Sequence, residues 1–212
     1  MAINVLITAG PTWVALDNVR VISNIATGST GLILANEYAK QGAKVTLIAG
    51  PAELSSINPK INLVRFRFFE ELRQLIVKEL KRRKYDVIIH SAAVSDYRPA
   101  KINKNKVKSD KSSWQINLVP TVKLIDLIRN LAPRSYLVGF KFEPDAKRSF
   151  LVSSALNLIR RSRADLIVAN TSTKNKYTAY ILNDNSICGP FLDKRDMKDG
   201  LINTIFKRLP RA

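Results

Sequence analysis

Residues Ser23-Asn24-Ile25-Ala26-Thr27-Gly28-Ser29-Thr30-Gly31 stand between an apolar, β-branched run, Val5 to Ala9, and a segment from Thr30 to Gln41 with Leu32, Leu34, Ala35 and Tyr38 at helical spacing. A buried strand that delivers the chain to a helix start is the unit from which parallel α/β sheets are made. Two glycines three apart at that start let backbone N–H groups come close to an anion. Gly28 supplies permissive dihedral angles, and Gly31 leaves room on the first helical turn. Asn24 adds an amide that can donate and accept at one centre. The stretch reads as an anion cradle with a polar reader beside it.

Strand and helix patterns alternate outward from it. Asn4 to Ala9 ends at Gly10-Pro11-Thr12, Leu16 to Ile22 reads as a connector, and Gly42 stops the first helix. Lys44 to Ala49 and Leu63 to Phe68 read as strands, Glu70 to Lys84 as an amphipathic helix, and Asp86 to Val94 as a fourth strand. Arg98 to Ser113 is a long, lysine-rich loop. Beyond it the pattern predicts a strand over Trp114 to Val119, a helix opened by Pro120 and running to about Leu131, and a strand over Tyr136 to Phe142. A helix over Asp145 to Arg161 and a buried strand over Asp165 to Asn170 follow. Tyr177 to Leu182 and Ser186 to Gly189 flank Asn183-Asp184-Asn185, a hairpin signal, and Asp196 to Arg208 closes the chain as a helix. This alternation implies a Rossmann-like three-layer α/β/α sandwich on a mostly parallel sheet with a C-terminal hairpin. No internal repeat or low-complexity linker divides residues 1–212, which read as one domain.

Composition narrows the function classes. No apolar run approaches the roughly 18 residues of a membrane span, and Met1-Ala2-Ile3-Asn4 lacks the basic start of a secretory signal, so a cytoplasmic, membrane-free protein is expected. One cysteine, Cys188, and one histidine, His90, exclude a disulfide framework and a Cys/His zinc site within the chain. The net charge is +18, unevenly spread: four basic against three acidic residues in 1–64, fourteen against six in 65–113, seventeen against eight in 114–212. Such a field attracts anions, whether nucleotides, phosphorylated substrates or nucleic acid. A nucleic-acid module would want an aromatic-studded basic strand, and the basic runs here, such as Lys81-Arg82-Arg83-Lys84, sit on helix ends and loops instead.

A nicotinamide-dependent reductase is the obvious alternative for a Rossmann-like chain. The dinucleotide fingerprint requires G-x-G-x-x-G at the first turn and an acid after the second strand. Here a gap separates Gly10 from Gly28, and the second strand ends in Ile48-Ala49-Gly50-Pro51. Tyr97 and Lys101 form a Y-x-x-x-K pair, but Pro99 between them disfavours the helix on which such a pair converges. No NAD is expected.

Four islands decide between these readings: Ile7-Thr8-Ala9-Gly10-Pro11-Thr12; Ile22-Ser23-Asn24 with Thr27-Gly28 and Gly31; Ala92-Ala93-Val94-Ser95-Asp96-Tyr97; and Asp165-Leu166-Ile167-Val168-Ala169-Asn170. In order and spacing they resemble the phosphopantothenate–cysteine ligase (phosphopantothenoylcysteine synthetase) family of coenzyme A biosynthesis, in its stand-alone form, over essentially the whole chain. The resemblance implies a homodimer that joins 4′-phosphopantothenate to L-cysteine. It also implies CTP or ATP as co-substrate with Mg²⁺, an acyl-nucleotidylate intermediate, and release of pyrophosphate and nucleoside monophosphate. The flavin-binding decarboxylase half fused to many such ligases has no counterpart in these residues, so neither FMN nor decarboxylation is expected.

The resemblance also implies roles. Asn24 matches the asparagine that holds the acyl intermediate, with a helix N-cap as its structural alternative. Gly10, Thr27, Gly28 and Gly31 match nucleotide-contacting positions, where close helix–sheet packing is the alternative. Ala92 and Ala93 match small residues whose backbone borders the nucleotide, Ala93 also facing the acyl substrate. Asp96 matches an acid at the nucleotide, where it could meet the triphosphate's Mg²⁺, and Phe140 and Asn170 match pocket residues. Lys106, ten residues past Asp96, matches a catalytic lysine on a loop that also holds Lys101, Lys104, Lys108 and Lys111. His90, inside an apolar strand, is assigned no role. The chain departs from the family at Ala26, where serine is usual. It departs again at Val119-Pro120-Thr121-Val122, which replaces an Asn-Pro-Asp-Ile-like segment, and at Leu158 and Ser162, which replace lysines. Arg160 and Arg161 lie near the latter, and the choice of base stays open.

Overall fold

The computed structural model describes residues 2–110, 112–174 and 176–208; Lys111 and the last residues of the expected single domain lie outside them. Six strands form the parallel part of one sheet: β1 (Asn4–Ala9), β4 (Lys44–Ala49), β5 (Asn62–Arg65), β6 (Val87–His90), β9 (Tyr136–Phe142) and β10 (Leu166–Thr173). Two antiparallel strands, β11 (Lys176–Asn183) and β12 (Ser186–Phe191), complete it in the order β12-β11-β10-β9-β6-β1-β4-β5. The expected hairpin is present, with Asn183 opposite Ser186.

The period-two alternation of each strand sends its apolar residues to two cores. Val5, Ile7, Val87, Ile89 and Val138 pack against α1 (Ser29–Lys40) and α5 (Lys194–Phe206). Leu6, Ile88, Leu137 and Ile167 face α2 (Phe69–Arg82), α3 (Leu124–Leu131) and α4 (Arg148–Ser162) on the other side. Helices therefore cover both faces, as expected. The strand order reverses between β1 and β6, which opens a crevice at their C-terminal ends, the place where such sheets bind ligands.

The segments expected to be loops contain more structure than their composition suggests. Within the Leu16–Ile22 connector, β3 (Val21–Ser23) folds back on β2 (Trp13–Ala15) as an antiparallel ribbon. The Asp17 carboxylate closes its turn, accepting from the backbone of Val19 and Arg20 at 2.9 and 2.7 Å. A second ribbon pairs β7 (Tyr97–Pro99) with β8 (Leu118–Pro120), which corrects two expectations. Only the end of the 114–119 stretch is a strand, and Pro120 ends that strand instead of opening a helix. Thr121 donates to Asp96 O through its backbone N–H (2.9 Å) and to Ser95 O through its hydroxyl (2.7 Å), so the chain stays extended until Leu124. Tyr97 sits on a strand, which removes the helical Tyr–Lys pair of a reductase.

At the N-terminal end of the strands, opposite the crevice, Asp165 ties three elements together. Its carboxylate accepts from Leu137 N at 2.7 Å and from the guanidinium of buried Arg129, which also donates to the carbonyls of Pro133 and Ser135. Asp165→Ala would leave that guanidinium short of its counter-charge and should destabilise the fold by about 2–3 kcal/mol in urea unfolding. A change under about 0.5 kcal/mol, the usual range of a surface substitution, would contradict this account of that end of the sheet.

Candidate active site

Over the crevice lies an open cleft of about 1130 Å³. One wall is residues 23–31; the floor is Gly10 with His90 to Val94; the far wall comes from β9, α4 and β10. Gly10, Asn24, Thr27, Gly28, Gly31, Ala92, Ala93, Asp96, Phe140 and Asn170 all line it. Lys106 does not.

The helix start is set by close approach. Gly28 is the N-cap of α1 at φ +69°, where a side chain is strained, and a Cβ there would stand 3.2 Å from Gly10 N. A Cβ on Gly31 would lie 2.5 Å from the Ala9 Cβ and 2.9 Å from the Ser91 hydroxyl, so the missing side chain is what seats α1 on β1. The first backbone bond into the helix runs from Leu32 N to Gly28 O (3.1 Å), which leaves the N–H groups of Thr30 and Gly31 without an intrahelical acceptor beside the cleft.

Asn24 is not the helix cap. Its Nδ2 donates to Ala93 O at 2.9 Å, tying the cradle to the end of β6. Ala93 O also accepts from Thr12 N (3.1 Å), and Ala93 N donates to Gly10 O (2.9 Å). The polar backbone groups of Ala93 are thus already engaged, and the residue offers the cleft a small apolar surface. Asp96 is the only carboxylate among the described residues that line the cleft, and Lys123 Nζ lies 2.6 Å from its Oδ1.

Lys106 is exposed on its loop. The loop is pinned away from the cleft at the neighbouring residue: Val107 N donates to Asp17 Oδ2 (3.0 Å), and Val107 O accepts from both terminal nitrogens of Arg20 (3.2 Å each). Burial of the Asp17 carboxylate pushes its pKa up. The N–H groups of Val107, Val19 and Arg20 and the Arg20 charge outweigh that and hold it below its ordinary value. The Arg20 guanidinium also stacks over Trp114, 5.2 Å from the ring centroid.

Four cations that line the cleft received no role from the sequence: Lys123, Lys141, Arg161 and Lys194. Arg161 stands beside Leu158, close to where the family carries lysines, and could have been suspected from the nearby-arginine signal. Lys141 pairs with Glu143 at 2.9 Å. Lys194 is 165 residues from its partner Ser29 and gave no local signal.

Residues 2–206 match the family described as the DNA/pantothenate metabolism flavoprotein C-terminal domain. The chain belongs to that family. Among members, the coenzyme A biosynthesis bifunctional protein CoaBC of Thermococcus kodakarensis is 35% identical over 209 residues, 97% of this chain and 51% of that protein. The chain spans about half the length of the curated relatives it matches. The solved DNA/pantothenate metabolism flavoprotein of Streptococcus pneumoniae superposes with a TM-score of 0.88 at 27% identity, covering 97% of this chain and 99% of that one. A Cab2 mutant solved as a complex with phosphopantothenate-cysteine shares the fold, with a TM-score of 0.79 at 19% identity over 97% of this chain and 85% of that one.

His90 is buried at the cleft floor, its Nδ1 2.8 Å from the Thr8 hydroxyl. Burial pushes its pKa from 6.5 down to about 4, so the folded protein holds it neutral. The unfolded chain takes up this proton near pH 6.5 and the folded chain only near pH 4. Acidification through that window therefore favours unfolding. His90→Asn should flatten the pH dependence of stability between pH 6.5 and 4, measured by urea unfolding against the parent protein. Parallel curves would contradict the assignment.

Proposed function

We propose that this chain is a phosphopantothenate–cysteine ligase acting in coenzyme A biosynthesis, in which residues 2–206 work as one ligase unit. The observation that carries the reading is convergence: four separate parts of the chain, Asn24 to Gly31, Ala92 to Asp96, Phe140 and Asn170, meet at one cleft. Family membership and the likeness to coenzyme A biosynthesis proteins support the same reading.

The chemistry follows from what a carboxylate lacks. It is a poor electrophile until one oxygen becomes a leaving group. Attack of the phosphopantothenate carboxylate on the α-phosphorus of CTP or ATP forms the acyl-nucleotidylate and expels pyrophosphate. The cysteine amine then attacks the acyl carbon, the nucleoside monophosphate departs, and the amine loses a proton as the amide forms. The α1 N-terminus offers N–H groups to phosphate oxygens, and Asn24 offers an amide to the acyl group without changing its own charge as the intermediate collapses. Phe140 and Asn170 border the nucleotide. Among the described residues no group of three or more His, Cys, Asp or Glu could cage a metal. Asp96 supplies one carboxylate that would face a Mg²⁺ ion brought by the polyphosphate, and such an ion would supply charge neutralisation there. Lys106 serves the reaction only if its loop or a second copy of the chain brings it to the cleft.

A homodimer fits the exposed apolar side chains on and beside the two ribbons: Val21, Ile22, Ile25, Tyr97, Leu118 and Val122. Among the described residues no helix is long and apolar enough to cross a membrane, which accords with a cytoplasmic enzyme.

The deciding assay is pyrophosphate release with CTP or ATP, with and without 4′-phosphopantothenate and cysteine. Pyrophosphate should require phosphopantothenate and one of the two nucleotides, and phosphopantothenoylcysteine should form only when cysteine is added. Reversible exchange of labelled pyrophosphate into the nucleotide should persist without cysteine. No pyrophosphate under any combination would overturn the proposal.

A further inference from the structure

The four cations of the cleft are not equivalent. Lys123 is matched by Asp96, Lys141 by Glu143, and Arg161 lies 3.8 Å from Asp126. Lys194 pairs with no carboxylate among the described residues. Its adjacent acid, Asp193, is occupied as the N-cap of α5, accepting from Arg195 N (2.7 Å) and Asp196 N (2.9 Å). The Lys194 ammonium instead donates to the Ser29 hydroxyl at 2.8 Å, and that oxygen also accepts from the Thr27 hydroxyl at 3.1 Å. An ammonium that donates to a neutral hydroxyl, in a cleft with one carboxylate of its own, retains most of its attraction for an anion.

The fold fixes this placement. Helix α5 runs alongside α1 in the same direction, with Lys194 at Ser29, Lys198 at Glu37 and Phe206 at Tyr38. Buried Met197 and Leu201 anchor the first turns of α5 in the core shared with α1. Lys194 therefore reaches the cleft from a rigid helix and not from a loop. Its side chain is only partly exposed, so bulk salt screens it less than the solvent-facing lysines of the surface.

We infer that Lys194, together with the hydroxyls of Ser29 and Thr27, is a phosphate-binding group of this cleft and contacts substrate directly during the reaction. This rests on the ligase reading and adds to it a residue from the far end of the chain. Two ligands of that reaction carry the required chemistry, the polyphosphate of the nucleotide and the phosphomonoester of phosphopantothenate. In either case the ammonium exchanges its hydroxyl partner for phosphate oxygens, so its contribution appears only when ligand is bound.

Three variants separate the possibilities: Lys194→Met, Lys194→Arg, and Lys60→Met as a control that removes one positive charge at a surface remote from the cleft. Binding of CTP, CMP, ATP, AMP and phosphopantothenate is measured by calorimetry, and KM and kcat by pyrophosphate release. Lys194→Met should weaken one phosphate class about ten- to a hundredfold, the range of a hydrogen bond to a charged group, with Lys194→Arg recovering part and Lys60→Met unchanged. A loss for triphosphates that shrinks for monophosphates places the nucleotide's polyphosphate at Lys194; a loss confined to phosphopantothenate places its phosphomonoester there. Unchanged affinity for every ligand in Lys194→Met, or an equal loss in Lys60→Met, overturns the inference, while an active parent enzyme in the same assay leaves the ligase reading standing.

Discussion

The structure depends on how closely the start of α1 approaches the end of β1. A side chain at Gly31 would collide with Ala9, and one at Gly28 would be strained at φ +69° and crowd Gly10. That closeness brings unpaired helical N–H groups to the crevice where the sheet reverses direction, and such donors attract anions before any charged residue is counted. Asn24 then ties the cradle to the segment after β6 through the Ala93 carbonyl, a direct hydrogen bond across the crevice.

Charge is arranged around this frame in pairs. The chain has a large positive excess, yet most of the cationic side chains at the cleft have a carboxylate within reach: Asp96 for Lys123, Glu143 for Lys141, Asp126 for Arg161. Pairing of this kind orients long side chains and tempers the field of the cleft. A phosphate ligand would then compete with carboxylates for most of the cations and with a hydroxyl for Lys194. Neutral His90 at the floor adds no charge and shares a hydrogen bond with Thr8, whose hydroxyl also lies 3.4 Å from Ala92 N.

Much of this was legible in the sequence because it is local. The β-branched runs gave the parallel strands, the apolar spacing of Leu32 to Tyr38 gave α1, and Gly28 with Gly31 gave its seat. What stayed hidden depends on long-range partners. The turn of the β2–β3 ribbon is closed by one buried carboxylate, Asp17, whose partner Val107 lies 90 residues away. Pro120 looked like a helix opener, but hydrogen bonds from Thr121 to Ser95 and Asp96 keep the chain extended past it. Sequence spacing alone selected Lys106, and spacing carries no information about a loop fastened to another ribbon. Lys194 needed the docking of α5 on α1, which no local pattern encodes.

The central claim is that the crevice beside Asn24 and Gly28 holds a nucleoside polyphosphate. The most direct measurement is a crystal structure of the protein grown with saturating CTP or ATP and Mg²⁺. The account predicts phosphate oxygens within hydrogen-bonding distance of the α1 N-terminus, with the base toward Phe140 and Asn170. A nucleotide bound elsewhere, with Asn24 and Gly28 covered by packed side chains, would contradict it.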